Sequence, residues 1–416
     1  MEASRSARIG RRAIVIGGSM SGLFAAALLR RIGWEVDVYE RSPTELVGRG
    51  AGITTHPELL RVLEQSGAGT RDLGVEVEKR ILIDRAGRVV GEWRLPQILT
   101  SWDRLQRLLR GLLPDRHYHL GRAFAGFDQD GGAVTVRFAD GQSERADLLL
   151  GADGFRSSVR ALVAPEVQPV YAGYAIWRGA PPESALAPET HRAIFPYFTF
   201  FLPERQQIIG YPIAGLDNAL APGRRRYNFI WYRVTDEAAL AEMCRDATGR
   251  RHDYSIPPEL IRPDIVAAMR RDAESVMPPA FLDVLARIER PFFTPIYDFA
   301  APRLVFGRVA LIGDAAANSR PHMGFGVSKA AEDAKALADA LALREGDIER
   351  GLADFEALRQ PAGERIMRYG RRLGTHLGVG LATAEDRAMW RLLQDPMEMV
   401  RRIAVPHFLA GAASAV

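Results

Sequence analysis

A glycine-rich turn near the start of the chain, Gly17 to Gly22 with the sequence GGSMSG, constrains the fold more than any other segment. Residues 13–16 before it are apolar, as in a short buried strand, and residues 23–32 after it are rich in alanine and leucine, as in a helix. Residues 36–39 form a second apolar run that ends at Glu40. This order predicts a βαβ unit of about thirty residues with a right-handed crossover.

The chemistry of this turn indicates a dinucleotide site. In the G-x-G-x-x-G pattern the first glycine allows the tight turn, the second lets the backbone approach a pyrophosphate, and the third lets the helix pack on the strand. Serine replaces the second glycine here, and its hydroxyl can contact phosphate. A carboxylate after the second strand can accept hydrogen bonds from ribose hydroxyls at the exposed adenosine end of the cofactor. The residues predicted to bind the cofactor in this unit are Gly17, Gly18, Ser19, Ser21, Gly22 and Glu40. The alternative is a glycine-rich turn that binds nothing.

A second predicted turn, late in the chain, favours a flavin. Asp314 follows the apolar strand 309–312, and the chain continues through Gly324 and Gly326 into a helix predicted over 328–343. An aspartate in this position can hold the ribityl hydroxyls of a flavin. The glycines would let backbone amides approach the edge of the isoalloxazine ring, where a helix N-terminus favours negative charge. The alternative is an ordinary connection that Asp314 caps.

A third turn contains Asp153, within residues 151–154 and directly after the apolar run 148–150. We expect this aspartate to brace the loop that faces the dinucleotide. The alternative is a tight turn with a capping acid.

Between these blocks the sequence is typical of antiparallel strands. Alternating patterns predict hairpins over 80–95 and 133–150 and further strands over 171–234, followed by a mostly helical segment over 238–288. Strand-rich material between two α/β blocks predicts an α/β fold, in which a Rossmann-like cofactor domain is interrupted by an antiparallel substrate-holding sheet and followed by C-terminal helices. The predicted domains are a cofactor domain over 8–172 and 289–343, a substrate domain over 173–288 that the hairpin 77–97 joins, and a C-terminal helical segment over 344–416.

Composition excludes several classes of protein. One cysteine, Cys244, among 416 residues excludes an internal disulfide framework and a cysteine-rich zinc site. The 55 basic and 51 acidic residues are mixed along the chain, so the net charge of +4 does not indicate a nucleic-acid partner. We find no secretory leader and no run of about eighteen apolar residues, and we therefore expect no membrane partner and a cytoplasmic location.

The three turns, in this order and with these separations, point to one family. The chain resembles the single-component FAD-dependent aromatic hydroxylases, the class of p-hydroxybenzoate hydroxylase, from about Ala13 to Arg372. The segments that carry the resemblance are GGSMSG at 17–22, YERS at 39–42, GRGAGI at 48–53, YAGYAIWRG at 171–179, IGDAA at 312–316 and RPH at 320–322.

The chain also departs from the family pattern at three positions. Ala317 replaces a histidine that usually follows GDAA, and Ser328 replaces a frequent asparagine. Trp102 replaces an arginine, which leaves the flavin pyrophosphate short of one cation. Arg41 or Arg49 could supply that cation, and the alternative for each is a solvated surface charge.

The resemblance implies a catalytic cycle as well as a fold. It implies non-covalent FAD, NADH or NADPH as reductant, and O₂, from which a flavin C4a-hydroperoxide forms and hydroxylates a small electron-rich aromatic substrate of the phenol or hydroxypyridine type. Activation of such a ring needs a base or a hydrogen-bond acceptor, a task that suits histidine. His56 and His322 are the catalytic candidates because their segments resemble flavin-lining loops, with Tyr211 of the predicted substrate sheet next. Each of the three has a structural alternative, and the oligomeric state stays open to a homodimer.

Two other functions remain open at this stage. One is a flavin monooxygenase that acts on a larger natural product by epoxidation, Baeyer–Villiger oxidation or tailoring hydroxylation. The other is a non-catalytic flavin-binding protein, against which the survival of three separate cofactor turns argues.

Overall fold

The computed structural model describes residues 10–46, 52–345 and 347–405. The strands of this part of the chain are β1 (Arg12–Ile16), β2 (Glu35–Tyr39), β3 (Gly52–Thr54), β4 (Val75–Ile83), β5 (Val89–Ser101), β6 (Tyr118–His119), β7 (Phe124–Gln129), β8 (Val134–Phe138), β9 (Ser143–Ala146), β10 (Leu148–Gly151), β11 (Val170–Gly179), β12 (Phe198–Phe201), β13 (Gln206–Ile213), β14 (Arg226–Val234), β15 (Phe292–Ala300), β16 (Val305–Phe306), β17 (Val309–Leu311) and β18 (Ala317–Asn318). The α-helices are α1 (Met20–Arg31), α2 (Pro57–Ser66), α3 (Trp102–Arg110), α4 (Ser158–Val163), α5 (Pro188–Ile194), α6 (Glu237–Met243), α7 (Pro263–Val276), α8 (Pro279–Ala286), α9 (Gly326–Leu343), α10 (Ile348–Gly374), α11 (Ala384–Leu392) and α12 (Pro396–Arg402).

Six strands form the first sheet, in the order β16-β17-β10-β1-β2-β6. β1 lies between β10 and β2 and runs parallel to both, so that Val15 is opposite Leu150 on one side and Val38 on the other. All three side chains are buried, as expected for a parallel sheet that helices cover on both faces. α1 is rich in alanine and leucine and packs against α9. The predicted βαβ unit is confirmed.

Nine strands form the second sheet, in the order β18-β15-β11-β14-β13-β12-β4-β5-β3. Along β14 the side chains alternate between the two faces. Tyr227, Phe229 and Trp231 pack in one cluster with residues of α7 and α8. Ile230 and Tyr232 belong to a second cluster, with residues of the C-terminal helices. Both faces of the sheet are therefore covered. The face that carries Ile230 and Tyr232 lies toward the site described below.

The predicted hairpin over 133–150 is partly wrong. β8 and β9 do form a hairpin that turns at Asp140-Gly141, where Gly141 has a φ of +83°. The run 148–150 does not continue that hairpin, because β10 lies between β1 and β17 in the parallel sheet. A buried run of three leucines suits a strand that is covered on both faces, whereas β8 and β9 alternate between buried and exposed side chains.

A buried arginine ties the C-terminal helices to the second sheet. Arg80 on β4 donates hydrogen bonds to the backbone carbonyls of Val400, Ile403 and Ala404, at the end of α12. Its guanidinium also lies 4.7 Å from the ring centroid of Phe198. Burial lowers the pKa of Arg80 to about 9. Removal of this side chain would leave the carbonyls of Val400 and Ile403, at a helix C-terminus, without this donor.

The predicted fold class is confirmed, because a parallel sheet with flanking helices, an antiparallel sheet and C-terminal helices are all present. Within the described ranges we find no helix that combines the length and the apolar character needed to cross a membrane. The domain boundaries given above stay a prediction.

Candidate active site

The glycine-rich turn connects β1 to α1 in a conformation that only small residues allow. Gly17 has a φ of +109°, which favours glycine, and a β-carbon there would strike the backbone carbonyl of Ala152. A β-carbon at Gly22 would strike the carbonyl of Gly17, so α1 can approach β1 only with glycine in this position. Ser19 precedes α1 and caps no backbone N–H with its side chain. Its hydroxyl and the first amides of α1 are therefore available to a ligand.

Glu40 lies at the carboxyl end of β2, and its environment corrects the expectation of an exposed carboxylate. Only 7% of its surface is exposed. One carboxylate oxygen accepts a hydrogen bond from the Gly18 N–H at 3.0 Å, and the other accepts one from the Ser42 N–H at 2.8 Å. Glu40 thus fixes the glycine turn against the segment after β2. Each oxygen keeps a further lone pair that can accept from a ligand hydroxyl.

Asp153 follows β10 and organises the start of α4. It accepts a hydrogen bond from the Ser157 hydroxyl at 2.5 Å and another from the Ser158 N–H at 2.6 Å. Burial raises the pKa of Asp153, and these hydrogen bonds oppose the rise. Arg160 on α4 then donates to the carbonyl of Ala315 at 3.2 Å, which joins this loop to the one after β17.

Asp314 lies in the loop after β17, and its carboxylate has no hydrogen-bond partner within the described part of the chain. Burial raises the pKa of Asp314, and the charge of Lys329 opposes the rise. Lys329 itself is occupied, since its Nζ donates to Asp333 at 2.6 Å and to the Gly313 carbonyl at 2.8 Å. Burial also opposes ionisation of Asp333, but Lys329 and Arg359 outweigh burial and lower its pKa. Asp333 is therefore held in structural ion pairs with Lys329 and Arg359. The carboxylate of Asp314 can instead accept a hydrogen bond from a ligand.

One groove of about 560 Å³ runs across these turns, and we name it the cofactor groove. The predicted residues that line it are Gly17, Ser19, Ser21, Glu40, Arg41, Asp153, Asp314 and Gly326. Gly18 and Gly22 do not line the groove, and Gly324 packs instead against Thr54 and Ala404. Arg49 lies outside the described residues.

The cationic side chains of the cofactor groove differ in part from those predicted. Trp102 lines it, and so does Arg41, which is exposed and forms no hydrogen bond with the described residues. Arg122 lines it as well, stacked on Phe138 with its guanidinium 4.6 Å from the ring centroid. Sequence reasoning missed Arg122, because only folding brings the segment before β7 beside the end of β2.

A smaller cavity of about 340 Å³ adjoins the cofactor groove and shares Asp314 and Gly326 with it. We name it the ring cavity. Arg178 of β11, Thr294 of β15 and Pro321 line it. α9 begins at Gly326, where an added β-carbon would meet no atom within 4 Å. The N-terminus of a long helix thus lies at the junction of groove and cavity, where negative charge is favoured.

Neither predicted histidine lines the ring cavity. His322 is fully buried, with its Nε2 2.8 Å from the Tyr174 hydroxyl and its ring stacked on Tyr232. His56 is also buried, between the Ser328 hydroxyl at 3.0 Å and the Ala404 carbonyl at 3.3 Å. Burial lowers the pKa of His56 to about 4, and burial together with the charge of Arg320 places that of His322 well below its ordinary range. Both imidazoles are therefore neutral near pH 7, and a catalytic role for either stays a prediction that this geometry does not favour.

Tyr211 on β13 lies on the sheet face that Ile230 and Tyr232 share. It is opposite Asn228 of β14, and its ring edge lies close to the backbone of Gly52. Burial raises the pKa of Tyr211 to about 12, although the nearby charge of Arg178 and hydrogen bonds with Thr54 and Asn228 oppose the rise. The phenol is therefore a neutral hydrogen-bonding group near pH 7, and its catalytic role stays a prediction.

Comparison with known proteins agrees with this arrangement. Residues 171–298 match a family described as FAD binding domain-like. Over 375 residues the chain is 35% identical to the 2,6-dihydroxypyridine 3-monooxygenase of Paenarthrobacter nicotinovorans. The aligned region covers 89% of this chain and 92% of that protein. The chain belongs to the FAD-dependent aromatic hydroxylases. It is also 31% identical to the 3-amino-4-hydroxybenzoate 2-monooxygenase of Streptomyces cremeus, over 93% of both proteins.

The solved structures show the same relationship. The structure of 2,6-dihydroxypyridine-3-hydroxylase from Arthrobacter nicotinovorans matches with a TM-score of 0.83 at 34% identity, over 88% of this chain and 92% of that one. The resemblance found from the sequence is confirmed. The protein is accordingly an FAD-dependent monooxygenase that uses O₂ and a reduced nicotinamide nucleotide.

Proposed function

We propose that this enzyme hydroxylates a small electron-rich aromatic or N-heteroaromatic ring of the phenol or hydroxypyridine type. The observation that carries the proposal is the ring cavity, which adjoins the cofactor groove at the N-terminus of α9. Its volume of about 340 Å³ lies near the small end of the range for ligand sites, roughly 300–1,000 Å³. That size favours a single ring over the larger natural products of the alternative function. The relatives named for hydroxypyridine and aminohydroxybenzoate substrates support the same class.

The residues of the cofactor groove suit FAD. The N-terminal amides of α1 and the Ser19 hydroxyl would meet the pyrophosphate, and Glu40 would meet the adenosine ribose. Asp314 supplies the unpaired acceptor that the ribityl hydroxyls need. Arg41 and Arg122 would supply the positive charge that Trp102 does not. Bound FAD supplies the redox chemistry with O₂, while the protein residues orient the ring, exclude water and set its protonation.

A second groove beside the ring cavity suits the approach of the nicotinamide nucleotide. This groove of about 600 Å³ shares Phe155 and Tyr254 with that cavity. Four arginines line it, Arg156, Arg160, Arg250 and Arg251, against one acidic residue, Asp253. The side chains of Arg250 and Arg251 form no hydrogen bond or ion pair with the described residues. We infer that these guanidinium groups receive the phosphates of NADH or NADPH, whose nicotinamide would reach the cavity past Tyr254.

The test of the proposed function is a screen with purified holoenzyme. Hydroxypyridines, hydroxybenzoates and aminohydroxybenzoates are offered one at a time with NADH or NADPH, and both nucleotide oxidation and the product mass are recorded. We expect at least one single-ring compound to accelerate nucleotide oxidation and gain 16 mass units. Acceleration by larger polycyclic compounds alone would favour the alternative function. Bound flavin without any accelerated oxidation would favour a non-catalytic protein.

The location and assembly are also proposals. We propose a cytoplasmic enzyme, since a reduced nicotinamide nucleotide is available there. For the assembly we propose a homodimer, which light scattering of the holoenzyme would distinguish from a monomer of 45.9 kDa.

A further inference from the structure

Arg178 lines the ring cavity, and its charged side chain has no hydrogen-bond or ion-pair partner among the described residues. Arg178 lies on β11, opposite Ile230 of β14 and Phe292 of β15, at the edge of this cavity. Its Nε is buried without a hydrogen-bond partner, and no carboxylate pairs with its guanidinium among the residues that the structure describes.

A partly buried and unpaired cation is unfavourable unless a ligand completes it. Withdrawal of a charge from water costs several kcal/mol in real proteins when no opposite charge compensates it. The two tyrosines near the guanidinium, Tyr211 and Tyr232, are not counter-ions, because burial keeps the pKa of each above its usual value despite the charge of Arg178. The cavity therefore presents a positive charge that an anionic ligand would satisfy.

A second buried polar side chain, Asn228, lies on the same face of the sheet. Asn228 is two residues from Ile230 on β14, which makes it the diagonal neighbour of Arg178 across the two strands. Its Oδ1 accepts a hydrogen bond from the Gly52 N–H at 3.2 Å, and this contact assigns the other atom of the amide as the donor. That Nδ2 is buried beside the Tyr211 side chain, with which the amide of Asn228 hydrogen-bonds. Asn228 is thus engaged with its neighbours, and the charged donor of this face that lines the ring cavity is Arg178, which matches an oxygen that carries negative charge.

We propose that Arg178 is a specificity-determining residue that binds the ionised hydroxyl oxygen of the substrate ring. This inference rests on the proposed function and names the chemical class within it, phenolates and pyridinolates. The hydroxyl gives its proton to water before or during binding, so no protein base is required. The negative oxygen then donates electron density into the ring, which makes a ring carbon more nucleophilic toward the oxygen that the reaction transfers. An ether or an unsubstituted ring would leave the guanidinium of Arg178 unsatisfied and would bind weakly.

The test uses a ligand whose ionisation is visible. A nitrophenol is coloured as its anion, so a difference spectrum of the holoenzyme reports both its binding and its protonation state. With the wild type we expect the bound ligand to be the anion and to stay ionised at a lower pH than in water. The matching nitroanisole, which cannot ionise, should bind much more weakly. Arg178→Gln should weaken binding of the anion by about 10- to 100-fold without weakening binding of nitroanisole.

Three further variants separate charge from structure. Arg178→Lys keeps the charge and should restore part of the affinity for the anion. Asn228→Asp leaves Arg178 in place but supplies an internal counter-ion, and it should also abolish the preference for the anion. The matched control is Arg233→Gln, which removes an arginine of the same sheet that pairs with Asp272 and stacks on Trp231. FAD content, read from the absorbance of each variant, reports whether it has folded.

The possible results distinguish this inference from the proposed function. Equal affinity of the wild type and Arg178→Gln for the anion, or a bound ligand that is the neutral phenol, would overturn the role of Arg178 and leave the proposed function intact. An Arg178-dependent phenolate site in an enzyme that turns over no ring in the substrate screen would overturn the proposed function and support the site. A wild type that binds neither nitrophenol nor any ring of the screen would overturn both.

Discussion

His56 should make the stability of the protein depend on pH without taking part in catalysis. The folded protein holds its imidazole neutral between Ser328 and Ala404, with a pKa of about 4 against an ordinary value of 6.5. As the pH falls, His56 of the unfolded chain binds its proton near pH 6.5, before His56 of the folded protein does. The stabilisation from the neutral ring is therefore fully present above about pH 6.5. It is lost as the pH falls toward 4. The gap of roughly 2.5 pKa units corresponds to about 3 kcal/mol of unfolding free energy.

The variant His56→Gln measures this contribution, since glutamine keeps a donor and an acceptor but does not titrate. Urea unfolding of the holoenzyme should be followed at several pH values between 4 and 7.5 for both proteins. We expect the variant to be less stable than the wild type at pH 7 and to lose about 3 kcal/mol less on acidification. The pH profile of hydroxylation above pH 6 should keep its shape, because a ring that is already neutral there does not titrate.

An acid dependence of unfolding that is the same in wild type and variant would refute this reasoning. It would mean that the imidazole of His56 titrates near its ordinary pKa and is therefore accessible to water. Loss of the lower limb of the activity profile in the same variant would then return His56 to the role of a base.

Four further outcomes follow from the geometry. Gly22→Val should yield apoprotein, because its side chain would strike the Gly17 carbonyl, whereas Gly69→Ala, with open space around it, should keep its FAD on absorbance spectra. Glu40→Gln should weaken FAD binding by about 10-fold or more in a titration of apoprotein, since it loses a charged acceptor for two backbone N–H groups. Asp314→Asn should weaken FAD binding while leaving the thermal stability of the apoprotein nearly unchanged, because the carboxylate has no partner within the described residues; a destabilised apoprotein would contradict this. The double variant Arg250→Gln, Arg251→Gln should raise KM for NADH or NADPH roughly tenfold at constant affinity for the ring, with Arg290→Gln as control, and an unchanged KM would exclude this groove.

The fold could be predicted from the sequence wherever local pattern and local chemistry agree. The βαβ unit is an example, since the φ of Gly17 and the packing at Gly22 are both demanded by a turn only six residues long. The groove-lining positions of Asp153 and Asp314 follow for a related reason, because the carboxyl ends of neighbouring parallel strands meet at one edge of a sheet.

The features that could not be predicted depend on contacts between distant parts of the chain. His56 is neutral because Ala404, 348 residues later, covers it, and no local pattern announces that contact. Glu40 lost its expected exposure because its carboxylate turns back to the Gly18 N–H, and Arg122 reaches the groove only through the pairing of β2 with β6. Arg178 lies in the segment 171–179, which carries part of the family resemblance. Its lack of a partner among the described residues becomes visible only when the surrounding side chains are placed.

The most direct test of the central claim is the origin of the oxygen atom in the product. The holoenzyme, NADH or NADPH and the best single-ring compound of the screen should be incubated once under ¹⁸O₂ in ordinary water and once under ordinary O₂ in H₂¹⁸O. The proposed function predicts a hydroxylated ring that carries one ¹⁸O atom in the first experiment and none in the second. Label that comes from water, or flavin-dependent nucleotide oxidation with no oxygen added to the ring, would contradict it.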